Sequence, residues 1–252
     1  MNTPYVTTTR QGSLHVVEFF HPQSNSLPRT LLTQLAQAIT AAGEDPEIKL
    51  ILLKSGGEKV FCAGASFDEL ASITTAAEGL RFFSGFAEVI NAIRTSPLLV
   101  IGRIQGKCVG GGVGLAAAVD YAFATDLAQV KLSELAVGIG PFVVGPAVER
   151  KIGLAAFSQL AIDATQWRSA EWAHQRGLYA ERFQDIAGMD EGIDRLVKQL
   201  LQSSSAALKE IKKIFWEGTE HWTQLLQHRA SISGRLLLRE ESKKAIERLL
   251  SK

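Results

Sequence analysis

The chain has 252 residues, 46% hydrophobic and 21% charged, and its 27 basic and 26 acidic side chains leave a formal net charge of +1. That composition suits a globular protein of one large domain, or of a domain with a smaller appended piece, and carries no electrostatic footprint for nucleic acid or for an anionic membrane. Residues 1–10 lack the apolar core of a secretory signal, and the most apolar run, 108–119, is too short to span a bilayer. Two cysteines, Cys62 and Cys108, make neither a disulfide framework nor a zinc site, so a cytoplasmic, reducing setting is expected.

Short aliphatic runs alternate with helical periodicity in the first half. Residues 14–19 (LHVVEF), 50–53 (LILL), 59–62 (KVFC) and 98–104 (LLVIGRI) predict strands bounded by Gly, Pro or charge. Their continuous apolar character predicts a sheet covered on both faces. Between them, residues 28–42 place Leu31, Leu32, Leu35 and Ile39 on one helical face, with Pro28 in the first turn and Gly43 after the end. A second helix is predicted over 78–95. The last third predicts helices over 169–176, 193–201, 206–216 and 239–250. Lys209, Lys212 and Lys213 alternate with Glu210 and Glu217 and read as a solvated helix face. The expected class is therefore α/β, with a core over 1–190 and a helical subdomain over 191–252.

Three segments carry the chemistry. Residues 105–120 (QGKCVGGGVGLAAAVD) put a glycine run between a strand and a helix of small residues, where backbone N–H groups can face a ligand. A dinucleotide loop fails on spacing, because Gly110 and Gly112 demand a glycine where Leu115 stands. A P-loop fails at Ile101 and Cys108. Close packing of the helix on the sheet explains the glycines equally well. Residues 59–70 (KVFCAGASFDEL) form a small-residue turn between a strand and a helix. Residues 131–150 set a carboxylate, Glu134, among Leu132, Leu135 and Val137, surroundings that raise a carboxyl pKa toward neutrality.

Together these segments resemble the enoyl-CoA hydratase/isomerase (crotonase) family. Phe61-Cys62-Ala63-Gly64-Ala65-Ser66 is similar to its F-x-A-G-A-D turn. Gly110-Gly111-Gly112, opening a helix that runs to Asp120, is similar to its glycine triplet. Glu134 followed by Gly138-Ile139-Gly140-Pro141 is similar to its glutamate and G-x-x-P. Residues 167–180 and 239–250 extend the likeness over most of the chain. The resemblance implies a spiral of ββα units with C-terminal helices packed between the subunits of a homotrimer or dimer of trimers. It implies an acyl-CoA substrate, whose coenzyme A is part of the substrate, with no separate cofactor and no metal. It assigns the oxyanion hole to the N–H groups of Ala65 and Gly111 and the acid/base role to Glu134. Ala63, Gly64, Phe67, Gly110, Gly138 and Pro141 are implied along the substrate path, and Arg29 at a coenzyme A phosphate.

One position departs from the pattern. Hydratases of the family carry a second glutamate three residues past the middle glycine, and this chain has Gly114 there. Asp68, Glu69 and Glu88 are the nearest substitutes in sequence. Phe142-Val143-Val144 also replaces a glycine-rich stretch, which narrows or reshapes the acyl pocket. The resemblance implies first an enoyl-CoA hydratase, including a branched-chain, methylglutaconyl-CoA type; the alternatives are a Δ3-Δ2-enoyl-CoA isomerase using Glu134 alone and an acyl-CoA binder without turnover. A serine hydrolase reading has only Ser133 beside Glu134 and lacks the G-x-S-x-G elbow, and the five scattered histidines lack HExxH spacing. Ile214, Phe215, Trp216 and Trp222 suit either a subunit interface or the core of the helical part.

Overall fold

The computed structural model describes residues 3–250. A hairpin of β1 (Tyr5–Gln11) and β2 (Leu14–Phe20) leads to α1 (Arg29–Glu44), then β3 (Leu50–Ser55), β4 (Val60–Cys62), α2 (Phe67–Ser72) and α3 (Ala76–Thr95). Next come β5 (Leu99–Ile104), β6 (Lys107–Val109), α4 (Gly111–Ala118), β7 (Tyr121–Thr125), β8 (Val130–Lys131) and a turn of 3-10 helix, Glu134–Val137. The chain ends through α5 (Gly145–Ile162), α6 (Ala170–Gln175), β9 (Glu181–Phe183), α7 (Ile186–Leu201), α8 (Ser205–Phe215), α9 (Trp222–Leu237) and α10 (Glu240–Leu250).

Three successive strand pairs, β3/β4, β5/β6 and β7/β8, each give one strand to each of two sheets. Their first strands join the β1–β2 hairpin and β9 in a six-stranded sheet of order β1-β2-β3-β5-β7-β9, and their second strands build a three-stranded sheet of order β4-β6-β8. Among the described strands, every strand-to-strand pairing is parallel except β1 with β2. The expected ββα repetition is therefore present.

The large sheet is covered on both faces, and the strand period of two sorts its side chains. Leu50, Leu52, Leu99 and Ile101 point to a layer made with Met189, Ile193 and Val197 of α7 and Leu208 of α8. Their neighbours Ile51, Leu53 and Val100 point into the main core with Phe61, Phe82 and Phe86. The boundary expected at residue 190 falls inside α7, whose buried face is part of the sheet's second layer.

The lysine cluster is corrected in one member. Lys212 is not on a solvated face: its ammonium and Asp120 are 2.6 Å apart with side chains only 2% and 4% exposed. Asp120 also accepts from Trp216 Nε1 at 2.9 Å and Val100 N at 2.7 Å, so α8 is pinned to the end of α4 by a fully hydrogen-bonded buried charge. Of the four interface-or-core residues, Trp216 and Trp222 are buried edge to face at 5.8 Å, whereas Ile214 and Phe215 are exposed. Helix α9 crosses α3 main chain to main chain: a β-carbon on Gly79 would stand 2.7 Å from Gly234 Cα. Among the described residues no helix is long and apolar enough to cross a membrane.

Lys212→Met is expected to lower the unfolding free energy by about 3 kcal/mol, because Asp120 then remains charged and buried without its counter-ion. Urea denaturation of Lys212→Met and of Lys212→Met/Asp120→Asn checks this; the double variant should regain part of the loss.

Candidate active site

Strands β4 and β6 are parallel neighbours with Cys62 opposite Cys108, so the chain leaves both in the same direction, side by side. The two exits are small-residue turns, and they touch backbone to backbone. Gly64 has φ +86°, and a β-carbon on it would stand 2.7 Å from Val109 O and 3.2 Å from Gly111 N. A β-carbon on Gly112 would lie 2.3 Å from Cys62 O. No side chain fits between the turns, which is why glycine occupies both points.

The loop before α1 braces the first turn. Ala63 N donates to Ser24 O at 3.1 Å, Leu27 N to Gly64 O at 2.7 Å, and Ser66 N to Leu27 O at 3.4 Å. This ladder skips Ala65, whose N–H has no acceptor among the described residues. The N–H of Gly111 is likewise free, as a first-turn donor of α4. Two unpaired main-chain donors thus belong to adjoining turns, one of them at the positive end of a helix.

Glu134 reaches the same place from β8. Gly110 N donates to Lys131 O at 2.9 Å, which ties the glycine triplet to β8, and the 3-10 turn carrying Glu134 follows. The carboxylate lies against Gly110, where a β-carbon would stand 3.1 Å from Oε1. The residue as a whole is half-buried, yet its Oε2 is shut off from solvent and has no hydrogen-bond partner. This burial pushes the Glu134 carboxyl up to about 7, against a smaller downward pull from its own backbone N–H.

A pocket with about 60 Å³ of free volume joins these groups. Ala63, Gly64, Ala65, Phe67, Gly110, Gly111, Glu134 and Pro141 all line it, beside Leu70, Phe83, Phe86, Val137, Ile139, Val143 and Val144. Gly138, expected on the substrate path, and Arg29, expected at a coenzyme A phosphate, are not among the residues lining this pocket. The Gly138 carbonyl accepts from Ser242 Oγ of α10 at 3.1 Å. The Arg29 guanidinium is held in a two-pronged bond by Glu88 at 2.7 and 2.6 Å. The substitute acids are engaged too: Glu88 by Arg29, Glu69 by the Arg29 N–H at 2.7 Å, and Asp68 by Gln23 Nε2 at 2.7 Å. Glu134 is the one carboxylate among the lining residues.

The space beside Gly114 is filled. A β-carbon on Gly114 would stand 2.4 Å from Val144 Cγ1, and Val144 itself faces the pocket. Sequence reasoning missed Phe83, Ser233 and the contact between Gly114 and Val144; Phe83 and Phe86 were legible only as apolar helix positions. Ser133 lines the pocket, but none of the five histidines does.

The sequence profile of the enoyl-CoA hydratase/isomerase family matches residues 9–250. The mitochondrial methylglutaconyl-CoA hydratase of Rattus norvegicus is 35% identical over 141 residues, 56% of this chain but 44% of the relative. The chain thus matches less than half the length of that relative. The peroxisomal Delta(3,5)-Delta(2,4)-dienoyl-CoA isomerase of Arabidopsis thaliana is 25% identical over 244 residues, 90% of this chain and 86% of the relative. The crystal structure of enoyl-CoA hydratase from Bacillus halodurans superposes with a TM-score of 0.89 at 24% identity, covering 97% of this chain and 99% of the other, and so shares its fold.

Glu134 has a stability signature that follows from its position. Below its ordinary value of 4.5 it is protonated in both folded and unfolded chains. As pH rises toward 7 the unfolded chain ionises while the folded one resists, so the native state loses up to about 3 kcal/mol, a loss that levels off above pH 7. Glu134→Gln should therefore be more stable than the parent at pH 8.5 and nearly equal to it at pH 4, as read by chemical denaturation at both values.

Proposed function

The chain belongs to the enoyl-CoA hydratase/isomerase family, and we propose that it acts on short, uncharged enoyl-CoA thioesters, with Glu134 as its one acid/base group. The observation that carries this reading is a single buried carboxylate in an apolar pocket shared with two unpaired main-chain donors.

Enolising a thioester builds negative charge on its carbonyl oxygen. Donors fixed in place for that oxygen, here the N–H groups of Ala65 and Gly111, are each worth on the order of 10²–10³ in rate. Glu134 removes a proton from C2 of a 3-enoyl thioester, and the electron pair delocalises into a dienolate held by the two N–H groups. The same carboxyl returns the proton to C4, leaving the double bond between C2 and C3. A carboxyl titrating near 7 gives and takes protons with similar ease at neutral pH.

Double-bond migration is favoured over hydration by Gly114 and Val144. Hydration of the two-glutamate type needs a second carboxylate to share the water, and Val144 fills the space beside Gly114. Hydration remains the second reading, supported by the names of the hydratases similar to this chain. The methylglutaconyl type is less well supported. Among the described residues no Lys, Arg or His lines the pocket, so a carboxylate on the acyl chain would be buried near Glu134 without a counter-ion. Coenzyme A enters as part of the substrate. Assembly as a homotrimer or dimer of trimers belongs to the same proposal; exposed Leu154, Ile162, Ile214 and Phe215 are apolar surface for such contacts.

Purified protein given a 3-enoyl-CoA and a trans-2-enoyl-CoA should shift the double bond of the first without taking up water. Its kcat/KM should fall on the acid side with an apparent pKa near 7. Glu134→Gln should lose at least about 10²-fold in kcat. Dominant water addition, or wild-type turnover by Glu134→Gln, contradicts the reading. Gly114→Glu alone should lose about 1–3 kcal/mol of stability by overpacking against Val144, whereas Gly114→Glu/Val144→Gly should recover it and gain hydration of the 2-enoyl substrate.

A further inference from the structure

The pocket holds a polar group that the proposed chemistry does not use. Ser233 lies on α9, is 1% exposed, lines the pocket, and makes no hydrogen bond with any described residue. Serines on α9, α10 and α3 behave differently. Ser231 Oγ donates to His228 O at 2.7 Å, Ser242 Oγ to Leu236 O at 2.9 Å, and Ser84 Oγ to Gln227 Oε1 at 3.4 Å. A helical serine can satisfy itself on a carbonyl of the preceding turn, as Ser231 does; no such bond is found for Ser233, so its hydroxyl is available to a group inside the pocket. The fold brings it there on purpose-built packing: the contact of Gly79 with Gly234 lets α9 approach α3 closely, and Ser233 adjoins Gly234.

Accepting the acyl-CoA reading above, we infer that Ser233 is a specificity-determining residue that hydrogen-bonds a neutral oxygen, a hydroxyl or carbonyl, on the acyl chain of the substrate. A plain hydrocarbon chain leaves the Ser233 hydroxyl unsatisfied. A carboxylate finds no cation among the lining residues and shares the pocket with Glu134. A neutral oxygen satisfies the hydroxyl without burying a charge, and a site built around one hydrogen bond discriminates against the ligand that lacks it.

Ligands that need no turnover test this directly. Butyryl-CoA, 3-hydroxybutyryl-CoA and 4-hydroxybutyryl-CoA would be titrated calorimetrically into wild type, Ser233→Ala and Ser233→Cys, the last keeping the shape in a slightly larger group while weakening the hydrogen bond. At least one hydroxybutyryl-CoA should bind wild type about three- to tenfold tighter than butyryl-CoA. Ser233→Ala should abolish that margin and leave butyryl-CoA binding within about twofold, with Ser233→Cys between. A margin absent from wild type, or unchanged in Ser233→Ala, overturns the assignment of Ser233 while leaving the acyl-CoA reading intact. Failure of all three ligands to bind wild type overturns both.

Discussion

Everything at the site depends on two turns that meet main chain to main chain. Gly64 and Gly112 each press a backbone atom of the other turn at a distance no β-carbon would allow. The contact is possible because β4 and β6 are adjacent and parallel, so their exits share one direction. It fixes the free N–H of Gly111 beside the turn that carries the free N–H of Ala65. Donors of this kind cannot be adjusted by rotamers, so their aim is as rigid as the two sheets that hold them. The small sheet has only short strands, yet β6 between β4 and β8 also aligns the third strand, from which Glu134 follows.

The same apolar surroundings that shape the pocket set the acid. Among the described residues Glu134 has no cation beside it in the pocket and no partner for Oε2, so its ionised form has little support beyond its own backbone N–H. A fold selected for stability alone would place a hydrophobic residue there. The conflict between local burial and a titratable side chain is the kind found at functional sites. Gly114 and Val144 show the opposite adjustment. Absence of a side chain at one position is matched by a valine that occupies the room, so the two residues form one packing unit.

Sequence patterns revealed strands β2 to β5 and helices α1 and α3 because each carries a strong apolar period. The hairpin strand β1 was missed: it is rich in threonine and mostly exposed, so no burial pattern marks it. The opening of α7 was also missed, since Gly188 and Gly192 interrupt the helical signal and Gly192 is there to let the Phe183 ring pack against it. Lys212 looked solvated because three lysines among glutamates suit a surface, and its partner Asp120 lies far away in sequence. At the site, the turns and Glu134 were legible as motifs with fixed spacing. The engagements of Arg29 and Gly138 were not legible, because a motif position does not say whether a side chain is already held by Glu88 or a carbonyl by Ser242.

The helical part of the chain is not an appendage to this site. Ser233 of α9 lines the pocket, and Ser242 of α10 holds the carbonyl of Gly138, the residue that ends the turn carrying Glu134. Phe83 and Phe86 lie on α3, against which α9 packs. The groups proposed for proton transfer and enolate stabilisation therefore come from the ββα repeats, while part of the wall proposed to meet the acyl chain comes from the helices. Such a division lets the acyl wall vary through α9 without disturbing the contact between the two turns, because Gly79 and Gly234 form a separate backbone contact from Gly64 and Gly112. A chain can then keep one way of stabilising a thioester enolate and change what is attached to it.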